Sequence, residues 1–351
     1  MRRVVVVGAG LAGARCAETL RAEGFEGRIT LVGAEPHAPY ERPALSKEFL
    51  TGTLEPEWLR LRSNSFWEEH GIELVLGTAV DRIDTRARVA HAGPREFRFD
   101  AIVLATGSRA RTLSGARTLR TLDDALELRR ELRPGRRLAV VGGGFVGAEV
   151  ASTARTLGLE VSLVEAASTP FAQTLGPEVG ELLASRWRAY GVDVRTGSRD
   201  VPDADVVLAG IGAEPAGELL GGGTVQTDSC GRTAIPNVYA CGDVASVDGR
   251  RVEHWTDAAG QAAAVARAVL GREQPHDALP YFWSDQFGLR LQYVGFGAGW
   301  ATLRLDGGED AFTARYFDRS GRLLAGLAAN EPTSLALLRG ELAETALPSA
   351  A

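Results

Sequence analysis

Lysine and methionine are almost missing from this chain. Lys47 is the only lysine among 39 cationic side chains, and Met1 is the only methionine. Such a bias reads as GC-rich coding rather than as function, but it singles out Lys47 in a protein that otherwise writes every cation as arginine. Cysteine is scarce too. Cys16, Cys230 and Cys241 form no C-x-x-C or C-x-x-x-x-C pair, which excludes a redox dithiol, a zinc knuckle and a resident iron–sulfur cluster. An odd, low count fits a reducing compartment, so a cytoplasmic location is expected. No stretch approaches the ~18 apolar residues of a membrane span. The run Val4–Val7 is too short for the core of a signal peptide. A net charge of −6 removes the global basic field that a nucleic-acid binder would carry. No membrane, nucleic-acid or metal site is therefore expected.

What remains is an ordinary globular composition, 45% hydrophobic and 24% charged over 351 residues, long enough for two or three domains. Its strongest feature is an internal repeat. Residues Val4–Glu35 and Leu138–Ala166 each read as a β-branched strand, a glycine turn, a helical stretch and a second strand, the makings of a βαβ unit. Further apolar strands, Asp100–Leu104, Gly191–Arg195, Asp205–Ala209 and Asn237–Cys241, alternate with helical segments Glu178–Tyr190 and Asp257–Leu270. That alternation predicts parallel sheets. After Pro280 the pattern changes to short runs, Leu289–Gly295, Thr302–Asp306, Ala311–Phe317 and Leu323–Leu327, between glycine and aspartate turns. These predict an antiparallel sheet, closed by a helix at Pro332–Glu344. The expected fold is therefore α/β, with two Rossmann-like dinucleotide-binding domains and a small α+β carboxyl-terminal domain. Boundaries fall at 1–111 with 232–277 (discontinuous), 112–231, and 278–351.

Each repeat carries G-x-G-x-x-G between strand and helix: Gly8, Gly10 and Gly13 in the first, Gly142, Gly144 and Gly147 in the second. The first glycine permits the turn, the second lets backbone approach a pyrophosphate, and the third lets helix pack on strand. Glu35 lies 22 residues beyond Gly13 and Glu165 lies 18 beyond Gly147, where an acid meets ribose hydroxyls. In register, Glu165 aligns with Gly33, so Glu35 sits two residues late. A carboxylate at 165, followed by Ala166-Ala167-Ser168-Thr169 with no arginine, repels a 2′-phosphate and favours NADH over NADPH. Two such folds in one chain suggest a flavin and a nicotinamide meeting between domains.

The segment Pro39–Lys47 (PYERPALSK) resembles that of the oxygenase-coupled ferredoxin reductases, flavoproteins of glutathione-reductase-like fold that serve aromatic dioxygenases and related oxygenases. Ala105–Ser108 (ATGS), Gly210–Pro215 (GIGAEP), Tyr239–Val244 (YACGDV), Glu253–Gln261 (EHWTDAAGQ) and Pro280–Gln286 (PYFWSDQ) extend the likeness over nearly the whole chain. The resemblance implies FAD on Gly8, Gly10, Ala12, Gly13, Glu35, Thr106, Gly107, Gly242 and Asp243. Arg42 and Lys47 would approach its pyrophosphate and ring, and Val80 and Arg111 its adenine half. Lys47, Trp255 and Trp283 would lie at the reactive ring, a cation near flavin N5 tuning its potential. NADH would lie on Gly142, Gly144, Phe145, Val146, Gly147, Glu149, Glu165, Gly210, Ile211 and Gly212. The chain departs from the family between Gly197 and Asp205, where seven residues stand in place of a β-hairpin, so the nicotinamide domain is shortened. Ala44 also replaces a proline.

The resemblance implies hydride transfer from NADH to FAD, then single electrons to an external ferredoxin or similar small iron–sulfur protein feeding an oxygenase. An acidic ferredoxin would dock on arginines, with Arg290, Arg304, Arg315 and Arg319 as candidates. The protein would be a monomer or homodimer. Other readings are a rubredoxin reductase, an NADH oxidase or diaphorase, and a non-catalytic NADH sensor resembling apoptosis-inducing factor. A peroxidase is disfavoured by the lack of a cysteine just after Lys47.

Overall fold

A computed structural model describes residues 1–346. Its contacts divide the chain into two units. The first comprises Met1–Arg42, Pro56–Arg109 and Ala213–Ala278; the second comprises Pro43–Glu55, Ala110–Gly212 and the chain from Leu279 onward. Residues 213–231 thus group with the first unit and 43–55 with the second.

The first unit is built on a five-stranded parallel sheet, in the order Val238–Ala240, Ala101–Leu104, Arg3–Val7, Arg28–Val32, Ile72–Val75. Its strands are near-continuous apolar runs because both faces are covered. Val4, Val6, Ile29, Leu31, Ala101 and Val103 pack on one side with helices Leu11–Ala22 and Trp255–Val269. Val5, Val7, Ile102, Leu104 and Val238 pack on the other with Ala90 and Phe99. That second face includes a three-stranded antiparallel sheet, Arg82–Asp84, Val89–Ala92 and Arg95–Arg98, which the sequence pattern did not single out.

The second unit repeats the plan on a smaller scale. Four parallel strands run in the order Val192–Thr196, Glu160–Glu165, Arg137–Val141, Val206–Ala209. Helix Leu122–Glu131 precedes them and begins with a capping box: Thr121 Oγ1 accepts from the Asp124 N–H, and Asp124 accepts from the Thr121 N–H. The same unit holds the antiparallel sheet Tyr281–Gln286, Leu289–Gly295, Leu323–Ala329, Phe312–Phe317, Thr302–Gly307. Helix Pro332–Ala346 closes it, with Leu338 and Leu342 buried against Val294, Leu323 and Ala328.

Candidate functional site: two glycine corners and a buried carboxylate

The two corners are built alike. Gly8 stands at φ +110°, and a Cβ there would lie 2.2 Å from the Ala105 carbonyl oxygen. A Cβ on Gly13 would lie 1.9 Å from the Gly8 oxygen. In the second corner Gly142 stands at φ +102° with 2.4 Å to the Gly210 oxygen, and Gly147 has 2.3 Å to the Gly142 oxygen. The outer glycines are therefore demanded by the protein's own backbone. The middle ones are not. Gly10 has an ordinary φ of −81°, and a Cβ on it would meet nothing within 4 Å. On Gly144, also at φ −81°, the nearest atom would be 3.7 Å away. Each middle glycine is also the N-cap of a helix, Leu11–Ala22 or Phe145–Thr156, that has no side-chain cap. First-turn N–H groups beside open space form an anion cradle. The pyrophosphate of a dinucleotide fits both corners.

The acids behind the corners differ, and the difference explains the two-residue offset. In the second corner Glu165 Oε2 accepts from the Gly143 N–H at 2.8 Å, and Oε1 from the Ala167 N–H at 2.8 Å. A Cβ on Gly143 would lie 3.3 Å from that carboxylate. In the first corner the equivalent positions are exchanged: Ala9 stands for Gly143, Gly33 for Glu165, and a Cβ on Gly33 would lie 2.6 Å from the Ala9 Cβ. At 9/33 two Cβ atoms cannot coexist in this geometry, and at 143/165 a Cβ beside the acid would be tight. Glu35 is displaced onward, where its carboxylate accepts from the Tyr40 hydroxyl and Arg42 Nη2, both at 2.6 Å. Burial opposes the Arg42 charge, but the oxygens of Tyr40, Glu35 and Asp243 outweigh it and hold the Arg42 proton more tightly than usual.

The other candidate residues of the first unit are spread over several of its elements. Ala12 and Gly242 approach closely, a Cβ on Gly242 lying 3.0 Å from the Ala12 Cβ. The Gly242 N–H donates to Gln261 Oε1, so that amide works inside the fold. Asp243 accepts from the Ser108 hydroxyl at 2.8 Å. The Thr106 hydroxyl donates to the Ala216 carbonyl, which fastens the loop Ala105–Gly107 to residues 213–231, and the Ala216 N–H returns to the Gly107 carbonyl. Val80 packs on the sheet beside Val75 and Ile83. Trp255 opens helix Trp255–Val269, two residues before the buried Asp257. Arg111 belongs to the second unit, where it is exposed and its N–H donates to the Gly212 carbonyl.

In the second unit, Gly210-Ile211-Gly212 runs past Gly142 as Ala105–Gly107 runs past Gly8. Val146 is exposed, and Phe145 packs between Phe171 and Phe282 with ring centres 4.6 and 4.7 Å away. The chief feature is Glu149, one turn into helix Phe145–Thr156 and only 6% exposed. Lys47 Nζ lies 2.9 Å from its Oε2 and 3.0 Å from the Pro43 carbonyl. The Ser46 hydroxyl also donates to Oε2, and the Ser284 hydroxyl to Oε1 at 2.7 Å. The sequence marked Lys47 and Glu149 separately and missed both serines. It also marked Trp283, which stands on the other face of strand Tyr281–Gln286, alongside Tyr281 at 6.3 Å between stacked rings. Alternation along this strand was the available signal: Phe282, Ser284 and Gln286 share the face turned to Phe145, Glu149 and Trp187. Of the four tail arginines, Arg315 is paired with Glu341 and Asp306, Arg304 lies over the Phe317 ring, Arg290 lies 3.8 Å from Asp285, and Arg319 is exposed.

Two mononucleotide-fold sheets, each with an uncapped glycine corner and an acid behind it, define a protein that holds two dinucleotides. The chain belongs to the pyridine nucleotide-disulphide oxidoreductase family, whose model matches residues 2–201 and 198–262. A Reductase C-terminal model matches residues 281–351. The chain is 36% identical to the ferredoxin–NAD(+) reductase component of the p-cumate 2,3-dioxygenase system of Pseudomonas putida, over 96% of this chain and 92% of that one. It is 38% identical to the ferredoxin–NAD(+) reductase subunit of the benzene 1,2-dioxygenase system of Pseudomonas putida, over 95% and 90%. The reductase in the crystal structure of the covalent putidaredoxin reductase–putidaredoxin complex superimposes with a TM-score of 0.93 at 32% identity, over 98% of this chain and 93% of that one. All three cysteines here are free and buried.

Proposed function

We propose that this protein is an FAD-dependent NADH:ferredoxin oxidoreductase that passes single electrons to a small iron–sulfur protein serving an oxygenase. The reading rests on the paired middle glycines, Gly10 and Gly144, each beside space that the chain leaves unfilled. The relatives named as ferredoxin–NAD(+) reductases support the choice of acceptor. When bound, FAD accepts a hydride from NADH and gives up its electrons one at a time.

The chain's own residues supply binding and orientation. Gly8, Gly10, Ala12 and Gly13 offer backbone to the FAD pyrophosphate, with Glu35 at the adenosine ribose and Arg42 beside it. Asp243, with Thr106, Gly107 and Gly242, serves the ribityl side, and Val80 the adenine half. Lys47 is the candidate cation for the ring, within the second unit; Trp255, in the first unit, and Trp283 are its aromatic candidates. Gly142, Gly144, Phe145, Val146 and Gly147 hold NADH with Gly210, Ile211 and Gly212. Glu165 takes its ribose hydroxyls, and Glu149 lies toward the nicotinamide. Among the described residues no cluster of three or more His, Cys, Asp or Glu side chains is arranged to hold a metal ion. Three free buried cysteines, and the lack among the described residues of any helix long and apolar enough to cross a membrane, favour the cytoplasm.

The test begins with colour. The purified protein should be yellow, bleach with NADH, and reduce cytochrome c only when a ferredoxin is added. A colourless sample that refuses added FAD refutes the proposal. Rapid oxygen consumption without ferredoxin dependence supports an oxidase instead. Negligible turnover with dimerisation on NADH supports a sensor.

A further inference from the structure

We propose that the carboxyl-terminal domain contributes a positioning residue, Ser284, which holds the Glu149 carboxylate in place as the partner of Lys47. The inference rests on the reductase reading for its consequence, but its geometry stands within one unit.

The argument is one of hydrogen-bond direction. The indole N–H of Trp187 can only donate, and it lies 2.9 Å from Gln286 Oε1. That fixes which end of the Gln286 amide faces Trp187. Gln286 Nε2 must then face the other way, and it donates to the Ser284 oxygen at 3.3 Å. Ser284 already receives a proton there, so its single hydroxyl proton goes to Glu149 Oε1, at 2.7 Å. Trp187 and Ser284 are fully buried, Gln286 is 3% exposed and Glu149 6%. None of these four side chains leaves a buried polar atom without a partner, and a relay that is satisfied throughout is rigid.

The far side of Glu149 is equally determined. Its Oε2 receives Ser46 and Lys47. The Ser46 carbonyl accepts from the Thr153 hydroxyl, one turn further along the same helix. Strand Tyr281–Gln286 is also tied to that helix at Ser152, whose Oγ accepts from the Phe287 N–H at 2.7 Å. Glu149, Ser152 and Thr153 form one helix face, and the carboxyl-terminal strand and the Pro43–Glu55 segment both fasten to it. Without Ser284, Oε1 loses its donor, the carboxylate can turn, and Lys47 is released from a fixed position.

The single lysine makes the test specific. Trace acetylation of the holoenzyme, read at the Lys47 peptide by mass spectrometry, reports on this one side chain. Ser284→Ala and Gln286→Met should each speed Lys47 labelling several-fold, with Glu149→Gln as the upper limit. Ser284→Ala should lower kcat/KM for NADH by about tenfold, the loss expected for one hydrogen bond to a charged group, and Gln286→Met by a smaller factor, while KM for ferredoxin stays fixed. Ser284→Thr, which keeps the hydroxyl, should restore most of both. Lys47 labelling in folded Ser284→Ala at the wild-type rate would overturn the proposal. If that variant does not fold, the same criterion applies to Gln286→Met. Should NADH fail to bleach even the wild-type protein, the reductase reading falls, and the labelling still decides the role of Ser284.

Discussion

Replacing Gly33 by alanine should unsettle the first corner, and replacing Ala9 by glycine as well should settle it again. The Cβ introduced at Gly33 would sit 2.6 Å from the Ala9 Cβ and 3.4 Å from Leu76 Cδ2. Carbon atoms in contact prefer about 3.5–4.0 Å, so the overlap is close to an ångström at a fully buried position beside the sheet. The Gly33 N–H is bonded to the Val75 carbonyl, which prevents the chain from sliding away. Overpacking of this kind costs about 1–3 kcal/mol. At about 2–4 °C per kcal/mol for a domain of this size, the unfolding midpoint of the first unit should drop by about 2–12 °C. Gly33→Ala should also release FAD more readily. Ala9→Gly alone removes no clash and should cost only about 0.4–1 kcal/mol, through the freer unfolded chain. The double variant should therefore be more stable than Gly33→Ala, with a coupling of about 1–2 kcal/mol in the cycle. Calorimetry of the four proteins with FAD bound tests this. Equal midpoints for Gly33→Ala and the double variant would refute the exchange of space between these two positions.

Three other outcomes follow from the same geometry. Glu165→Ser should lower the preference for NADH over NADPH by about tenfold, because a carboxylate repels a 2′-phosphate; steady-state kcat/KM values for both coenzymes decide it, and a wild type that uses NADPH equally well defeats the reasoning. Burial pushes the Cys241 thiol up to about 12, and burial together with Cys241 raises Cys16, so the native protein should resist a thiol-specific disulfide reagent at pH 8 and yield three thiols only on unfolding; fast native labelling contradicts this. Asp100 receives the N–H groups of Arg2 and Arg3, the Arg2 bond chief among the causes that lower its pKa. Its unfolded value lies near 4, so the stability it adds is present above that pH and disappears as pH falls through the lower folded value. The midpoint difference between wild type and Asp100→Asn should be full at neutral pH and shrink steadily as the pH is lowered below about 4; a difference that does not shrink in acid assigns it to packing.

The two glycine corners were legible because their logic is local. A strand, a positive φ and a helix start are all written within a dozen residues, and the acid that follows is one strand away. The three-stranded sheet was not legible. Its arginines, Arg82, Arg95 and Arg98, and the turn residue Arg86 give it the look of a polar loop, and its buried face is marked by Ile83, Ala90, Ala92 and Phe97 alone. The placement of residues 213–231 with the first unit depends on bonds such as Thr106 to Ala216, which span 110 positions. The donors to Glu149 come from positions 46, 47 and 284, and no periodicity links them. Trp283 attracted notice by its size, whereas its smaller neighbour Ser284 faces the buried carboxylate.

The duplicated corners also show how one backbone plan can be assigned two tasks. What the repeats share is whatever the main chain requires: the two outer glycines and the strand-to-helix turn. What they do not share lies just behind it, where one side-chain volume is exchanged between two positions. In the second repeat the glycine at 143 admits Glu165 directly against the corner, with both of its oxygens held by backbone N–H groups. In the first, Ala9 fills that volume, and the acid moves on to Glu35, in reach of Tyr40 and Arg42. A carboxylate locked by the main chain is a fixed negative charge directly behind its corner. A carboxylate paired with an arginine is part of a wider polar wall. The exchange at 9/33 and 143/165 is thus what sets where the acid stands behind each corner.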